Sequence, residues 1–413
     1  MKTIRLPQAI ALYIGAVLGA GILLVPGLAA QVAGPASLID WALLMILALP
    51  LALCMAYLSQ KFPHSGGVSY FVTEAFGHHA GQMIGWFFLM SVPIGAPVAS
   101  LTGAAYLSTA LRLPNSVTVA LAGAVLLLAV LISYRGMQMA GKVQVAVIAM
   151  ILVILSAILA GSLPHIRVSH FQPFMPNGPW SIGHASTLLF WCFIGWEAIT
   201  NYSTEFVNPE KDVHRATIIS ALLLGSLYFM TAFVVVGTGS AQQGQAALVH
   251  VSEHVFGRGG AIIIGLAALL ICLATVIAYI GSAARMARAM ANEGAAPRWM
   301  MKQSQKYQTP VGGLLFLAVC FLIVMTAYAN GLISLTKLIQ LPNATFLLNY
   351  MGGCAAGMVL FRKEKKKFFI SLVAFLATLA MFCFVGSAIL YPLIICFLIL
   401  AAQKVRLRSE RDF

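Results

Sequence analysis

Among the ionisable side chains of this 413-residue sequence, Asp40, Glu197 and Lys337 stand out by their place in or at the rim of long apolar runs. A charge in apolar surroundings is expensive, so each must find a partner, reach water or do chemistry. Glu197 sits in "FWCFIGWEAIT" (190–200), far from either end of its run. Such a carboxylate either bonds a neighbouring helix and serves packing, or binds and releases a proton and acts as a gate. The irregular sequence around it favours the second reading. Lys337 stands near the start of its run, close enough to extend its ammonium out of it. Asp40 stands at the end of its run and is expected to reach water.

The irregularity is glycine. "IGAVLGAGILLVP" (14–26) holds Gly15, Gly19 and Gly21 and then Pro26 within the first apolar run. Glycine inside a helix costs roughly 1 kcal/mol relative to alanine, and proline costs more. Gly15 and Gly19 have the spacing of a helix-packing face; alternatively the helix is interrupted there. Gly195, wedged between aromatics just before Glu197, repeats the pattern in the sixth run. Interrupted spans at matching positions in two halves of a chain point to a transport site. Freed backbone groups are tolerated only where a cavity or ligand meets them. Freed amides suit a carboxylate and freed carbonyls an ammonium, which together fit an amino acid.

The elements that must position these residues follow from composition. The chain is 61% hydrophobic and 9% charged, with a mean hydropathy of +0.93; soluble domains carry roughly a quarter charged residues. Apolar runs long enough to cross a membrane, ~20 residues each, recur throughout. Twelve are expected, at roughly 7–33, 38–59, 80–110, 116–134, 142–162, 182–204, 215–237, 258–288, 310–329, 332–361, 368–385 and 387–403. The fold class is an all-α integral membrane protein. The two glycine interruptions stand five spans apart, as in two five-helix repeats covering 1–162 and 182–361, with 362–413 holding two further spans and a basic tail. With both termini on one side, 21 of the 25 Lys and Arg fall on that side, and only Arg112, Arg167 and Arg258 on the other. That bias makes the terminal side cytoplasmic. The run "RKEKKK" (362–367) is expected against anionic lipid headgroups, which accounts for the net charge of +14 without a nucleic-acid partner. The seven cysteines lack a CxxC pair and the nine histidines lack a metal-binding spacing, so no metal or cofactor is expected. The span interiors lack the charged rings of a channel and the nucleophile–base pair of an enzyme.

Four stretches in register carry a family resemblance. "GAGI" (19–22), "KFPHSGGVSYFVTEAFG" (61–77), "FWCFIGWEA" with "TEFVNPEKDVHRA" (204–216), and "ARAMANEGAAP" (287–297) resemble the amino acid–polyamine–organocation transporters. The resemblance covers residues 1 to about 300; the last third matches in hydropathy alone. It implies two inverted five-helix repeats of the LeuT type plus two helices, and an amino acid as the small-molecule substrate. It also implies site residues. The amides of Ala20, Gly21 and Ile22 would meet the substrate carboxylate, and the carbonyls of Val17, Trp191 and Ile194 its ammonium. Trp191 and Tyr279 would be aromatic covers, and Glu197 a carboxylate that some members use in pH-dependent exchange.

Departures from the family pattern narrow the mechanism. Span five, "VQVAVIAMILV" (143–153), lacks the lysine of some proton-coupled members, and "YIGSAAR" (279–285) is a poor match to the paired hydroxyls of sodium-coupled ones. In "SVPIGAPVAS" (91–100), Ala96 and Pro97 occupy positions where relatives with basic substrates tend to be polar. An apolar substrate side chain is therefore expected. The short length and span six most resemble bacterial exporters of methionine and branched-chain amino acids. The resulting expectation is proton-driven export of methionine, leucine, isoleucine and valine across a bacterial inner membrane, by a monomer or homodimer; uptake and amino acid exchange are the alternatives.

Overall fold

The computed structural model describes residues 5–64, 66–135, 138–197, 200 and 206–409, and of 138–147, 209–210, 245 and 402–409 the backbone alone. Ser65, Ala198, Ile199, Thr204 and Glu205 of the stretches quoted above, and the side chains of 143–147 in span five, lie outside that description. The described residues form helices and no strand: α1 (Leu6–Val17), α2 (Gly21–Ala33), α3 (Ser37–Lys61), α4 (Gly67–Phe76), α5 (His78–Leu111), α6 (Asn115–Arg135), α7 (Gln138–Ser162), α8 (Trp180–Leu189), α9 (Pro209–Gly237), α10 (Ala247–Asn292), α11 (Val311–Ala329), α12 (Leu335–Leu360), α13 (Lys365–Phe382) and α14 (Leu390–Ser409).

Seven helical stretches among the described residues are long and apolar enough to cross a membrane; α13 with the stretch Gly386–Ala401, bent by 114°, makes up to eight. The expected twelve is thus not reached by length and composition. Spans one and two are joined in the single stretch Gly21–Lys61 and the last two in the bent pair, while α8, which breaks, and α12, which carries Lys337, Asn343 and Asn349, are not among these stretches. Leucines and aromatics stand exposed on the outer helices, Leu322 at 69% and Phe397 at 71%. In water such a belt would be a liability; against lipid it is the solvated surface.

Inside this belt α5 and α10 form the most closely packed pair, with α4, α6 and α12 against α5, α7 and α11 against α10, and α1, α2 and α9 also reaching α10. Proline is accepted inside α2, α3, α5 and α12 because neighbouring helices and hydroxyls take up the freed carbonyls. Separately, Tyr106 on α5 donates to the Leu23 carbonyl in α2 and ties the two helices together. α10 turns sharply at Gly257 (φ 66°, ψ −164°), so 247–256 lies across one end of the bundle and 258–292 descends through it. At that end Ala36 donates to the Phe174 carbonyl at 2.9 Å and Asn177 to that of Val32 at 2.8 Å. At the opposite end Glu364 is held between Lys61 (3.0 Å) and Lys367 (2.6 Å), and both ammoniums lie over the Phe361 ring at 5.0 and 5.1 Å. The short α4 packs at this second end against α5 and α12.

Candidate functional site

The first apolar run does break where glycine is dense. α1 ends at Val17 and α2 begins at Gly21, with Leu18 (φ −73°, ψ 81°) leaving the helical path. Leu18 and Gly19 donate backwards, to Ile14 and Val17, while Leu23 and Leu24 both donate to Ala20. Among the described residues no acceptor takes the amides of Ala20, Gly21 or Ile22. A buried amide left unpaired costs about 1–3 kcal/mol, so three together at the start of a helix are donors suited to an anion.

The sixth run breaks as well. α8 tightens into a 3-10 turn over Phe190–Phe193, Ile194 is extended (φ −75°, ψ 139°), and Gly195 takes φ +131°. That angle lies in the region L side chains avoid. Gly195 is also pressed against the first break: a Cβ there would lie 2.5 Å from the Ala16 carbonyl oxygen and 3.0 Å from Val17 Cα. A Cβ on Gly21 would lie 3.0 Å from Cys192 Cα and 3.3 Å from Trp191 Cδ1. The two interruptions are therefore each other's packing partner, and glycine is what lets backbone rest on backbone.

A cavity opens beside this junction, with about 500 Å³ of space free of protein atoms, part of it open to solvent. Of the residues expected at a site, Val17, Ala20, Gly21, Ala96, Trp191, Ile194 and Tyr279 line it. Ile22 does not; it is fully buried in the core, with its amide unpaired beside those of Ala20 and Gly21. The Val17 carbonyl, expected to face an ammonium, already accepts from the Tyr228 hydroxyl and the Gly19 amide, each at 2.8 Å. The Trp191 indole spans the cavity: its Cδ1 edge lies by Gly21 and its Cη2 edge by Gly95, where a Cβ would come within 3.3 Å. Val92, Ala96, Ala99 and Val276 complete an apolar wall, and no charged side chain lines it.

Glu197 lies beside the cavity, 3% exposed. Its carboxylate accepts from the Gly195 amide at 2.9 Å, from the Tyr350 hydroxyl, and from the Tyr279 hydroxyl at 3.5 Å. Tyr279 reaches the cavity, so the carboxylate communicates with it through one hydroxyl. Asp40 departs from expectation: it is fully buried, with Ser186 Oγ donating to Oδ1 at 2.6 Å and Oδ2 unpartnered. α8 covers the helix end that was expected to open to water. Lys337 is exposed in the first turn of α12, as its position suggested.

Sequence reasoning missed the contribution of α12. Phe346 lines the cavity and meets Tyr279 edge-on at 6.2 Å; Thr345 bonds the cavity-lining Ser91 at 2.6 Å; Tyr350 holds Glu197. The signal was there: Asn343, Phe346 and Tyr350 recur at i, i+3 and i+7 on one helical face, with Thr345 and Asn349 four apart beside them. Among the described residues no group of three or more His, Cys, Asp or Glu could hold a metal.

The profile of a family described as amino acid permease matches residues 4–404. An uncharacterized amino acid permease of Bacillus subtilis, YecA, is 37% identical over 95% of this chain and 93% of its own. The L-methionine/branched-chain amino acid exporter YjeH of Escherichia coli is 32% identical over 95% of this chain and 94% of its own. The branched-chain amino acid permease BcaP of Bacillus subtilis is 27% identical over 86% and 79%.

Proposed function

The chain belongs to the amino acid permease family, membrane transporters and not enzymes, and from that premise we propose that it exports neutral, mainly hydrophobic L-amino acids by alternating access. Methionine, leucine, isoleucine and valine are the proposed substrates. The observation that carries this reading is the junction of the two broken helices. Three unpaired amides lie in a row where Ala20 and Gly21 line a cavity whose walls are mostly apolar and free of charge. A substrate carboxylate takes the amides of Ala20, Gly21 and Ile22, and its uncharged side chain lies against Ala96 under Trp191 and Tyr279. With the Val17 carbonyl engaged by Tyr228, the ammonium falls to the carbonyls of span six, Trp191 and Ile194. The likeness to YjeH, a methionine and branched-chain amino acid exporter, supports the same substrate class and direction. That to BcaP, a branched-chain permease, supports uptake as the second reading.

Proton entry drives the cycle in this proposal, with Glu197 as the proton site. The chain spans a bacterial inner membrane twelve times as two inverted five-helix repeats, 1–162 and 182–361, plus the two helices of 362–413. Both termini are cytoplasmic, and the basic run at 362–367 lies against anionic lipid. The test is efflux of labelled leucine and methionine from preloaded proteoliposomes, with and without an imposed pH gradient. Flux accelerated by protons on the far side is the expected result. Flux that requires unlabelled amino acid opposite and ignores pH refutes proton coupling and makes the protein an exchanger.

A further inference from the structure

A second cavity touches Glu197 from the side away from the substrate. Its space free of protein atoms is about 250 Å³, part of it open to solvent, and it is lined by Val68 and Ser69 of α4, Ile84 and Phe88 of α5, Met286 of α10 and Asn349 of α12, with Glu197 itself. Asn349 is 1% exposed, and its Oδ1 has no hydrogen-bond partner. A buried amide oxygen without a donor is costly; a water in the adjoining cavity supplies one, and the room left there for a water-sized body admits one at most. The lining is otherwise hydrocarbon but for Ser69, half-buried towards the end of the bundle that carries α4.

Aromatic packing keeps this cavity apart from the substrate cavity. Phe88, which lines the second, meets Phe346, which lines the first, edge-to-face at 6.1 Å and 84°. Glu197 stands at the partition, with Tyr279 on the substrate side and Asn349 on the other. The titratable groups facing the carboxylate are the hydroxyls of Tyr279 on α10 and Tyr350 on α12. α4 and α5 face the cavity with Val68, Ser69, Ile84 and Phe88; their charged or basic groups Glu74, His78 and His79 are exposed, as is Arg285 on α10, and Arg288 is half-buried.

We propose that this second cavity is a hydrated proton port, which joins Glu197 to the aqueous phase beside α4 without passing through the substrate cavity. The inference rests on the reading of Glu197 as the coupling site. The neutral carboxyl gives its proton to cavity water, leaving a carboxylate held by Tyr350 and the Gly195 amide, and the hydronium passes its charge out past Asn349 and Ser69. A proton can then leave while substrate occupies its own cavity, so the two ligands need not queue in one passage.

The test separates two transport modes in proteoliposomes. Counterflow of labelled leucine against unlabelled leucine needs no net proton movement; accumulation driven by a pH gradient does. Asn349→Leu removes the polar wall at nearly constant volume, and Val68→Met fills the space without deleting a polar group, so one variant remains should the other fail to fold. Counterflow within about twofold of wild type, with proton-driven flux reduced at least tenfold or so, is the expected result. An equal fall in both modes overturns the port and leaves a packing role, as does no change in either. Absence of proton-driven flux in the unmutated protein refutes the coupling reading itself, and the port falls with it.

Discussion

Gly195→Ala tests whether the two broken helices must touch. Gly195 takes φ +131°, and holding a non-glycine residue in such a region costs about 1–3 kcal/mol. The added Cβ would also lie 2.5 Å from the Ala16 carbonyl oxygen, 2.8 Å from its carbon and 3.0 Å from Val17 Cα. All three are backbone atoms, so no side chain can swing aside, and overpacking of this kind adds about 1–3 kcal/mol. The sum, about 2–6 kcal/mol, is a large share of the 5–15 kcal/mol or so that stabilises a typical fold. Gly77→Ala is the control: φ is +90°, yet a Cβ there meets nothing within 4 Å, so it bears the conformational cost alone. Thermal unfolding of the purified variants, with leucine counterflow as the functional readout, should rank Gly195→Ala well below Gly77→Ala and show its transport lost. Equal melting temperatures with counterflow intact would refute the argument that close backbone approach builds the site.

Four other expectations follow from particular contacts. Glu197→Gln keeps an acceptor for Tyr350 but cannot ionise, so the acceleration of efflux by a pH gradient disappears; wild-type pH dependence would remove the residue from coupling. Trp191→Leu surrenders much of the indole surface between Gly21 and Gly95, and loss of about 1.5–3 kcal/mol of apolar contact predicts apparent leucine affinity weaker by roughly 10- to 100-fold in saturation of counterflow. Asp40→Asn retains the bond from Ser186 and removes a buried charge with one unpartnered oxygen, so the melting temperature should hold or rise; a fall would show that Oδ2 has a partner. Lys367 and Lys61 hold the Glu364 carboxyl below the usual carboxylate range. Its contribution is therefore present above the unfolded-state pKa, ~4.3, and is lost as pH falls through the lower folded-state value. Glu364→Gln should flatten the dependence of melting temperature on pH in that acidic window.

Much of the site was legible because glycine marks where a helix cannot continue. The breaks at 18–20 and 194–197 trace to glycine in two short stretches, whereas the amides of Ala20 to Ile22 and the place of Trp191 and Tyr279 beside the cavity were expected from the family resemblance alone. What stayed hidden depends on partners distant in sequence. Tyr350 looks like any tyrosine in an apolar run until Glu197, 153 residues earlier, is brought against it. Asp40 was expected in water because the sequence does not state that Ser186 and α8 cover it. The engagement of the Val17 carbonyl by Tyr228 was likewise invisible, since a hydroxyl on α9 carries no local mark of where it will donate.

The contact between the two breaks also constrains how the sequence can drift. Gly21 is crowded partly by a side chain, the Cys192 sulfur at 2.8 Å, so a larger residue at 21 has a possible compensating change at 192. Gly195 is crowded by the main chain of Ala16 and Val17, which every amino acid shares, so no second substitution can make room for a Cβ there. The two glycines have the same structural task but different evolutionary fates: position 21 can co-vary with its neighbour, whereas position 195 has no neighbour with which to negotiate.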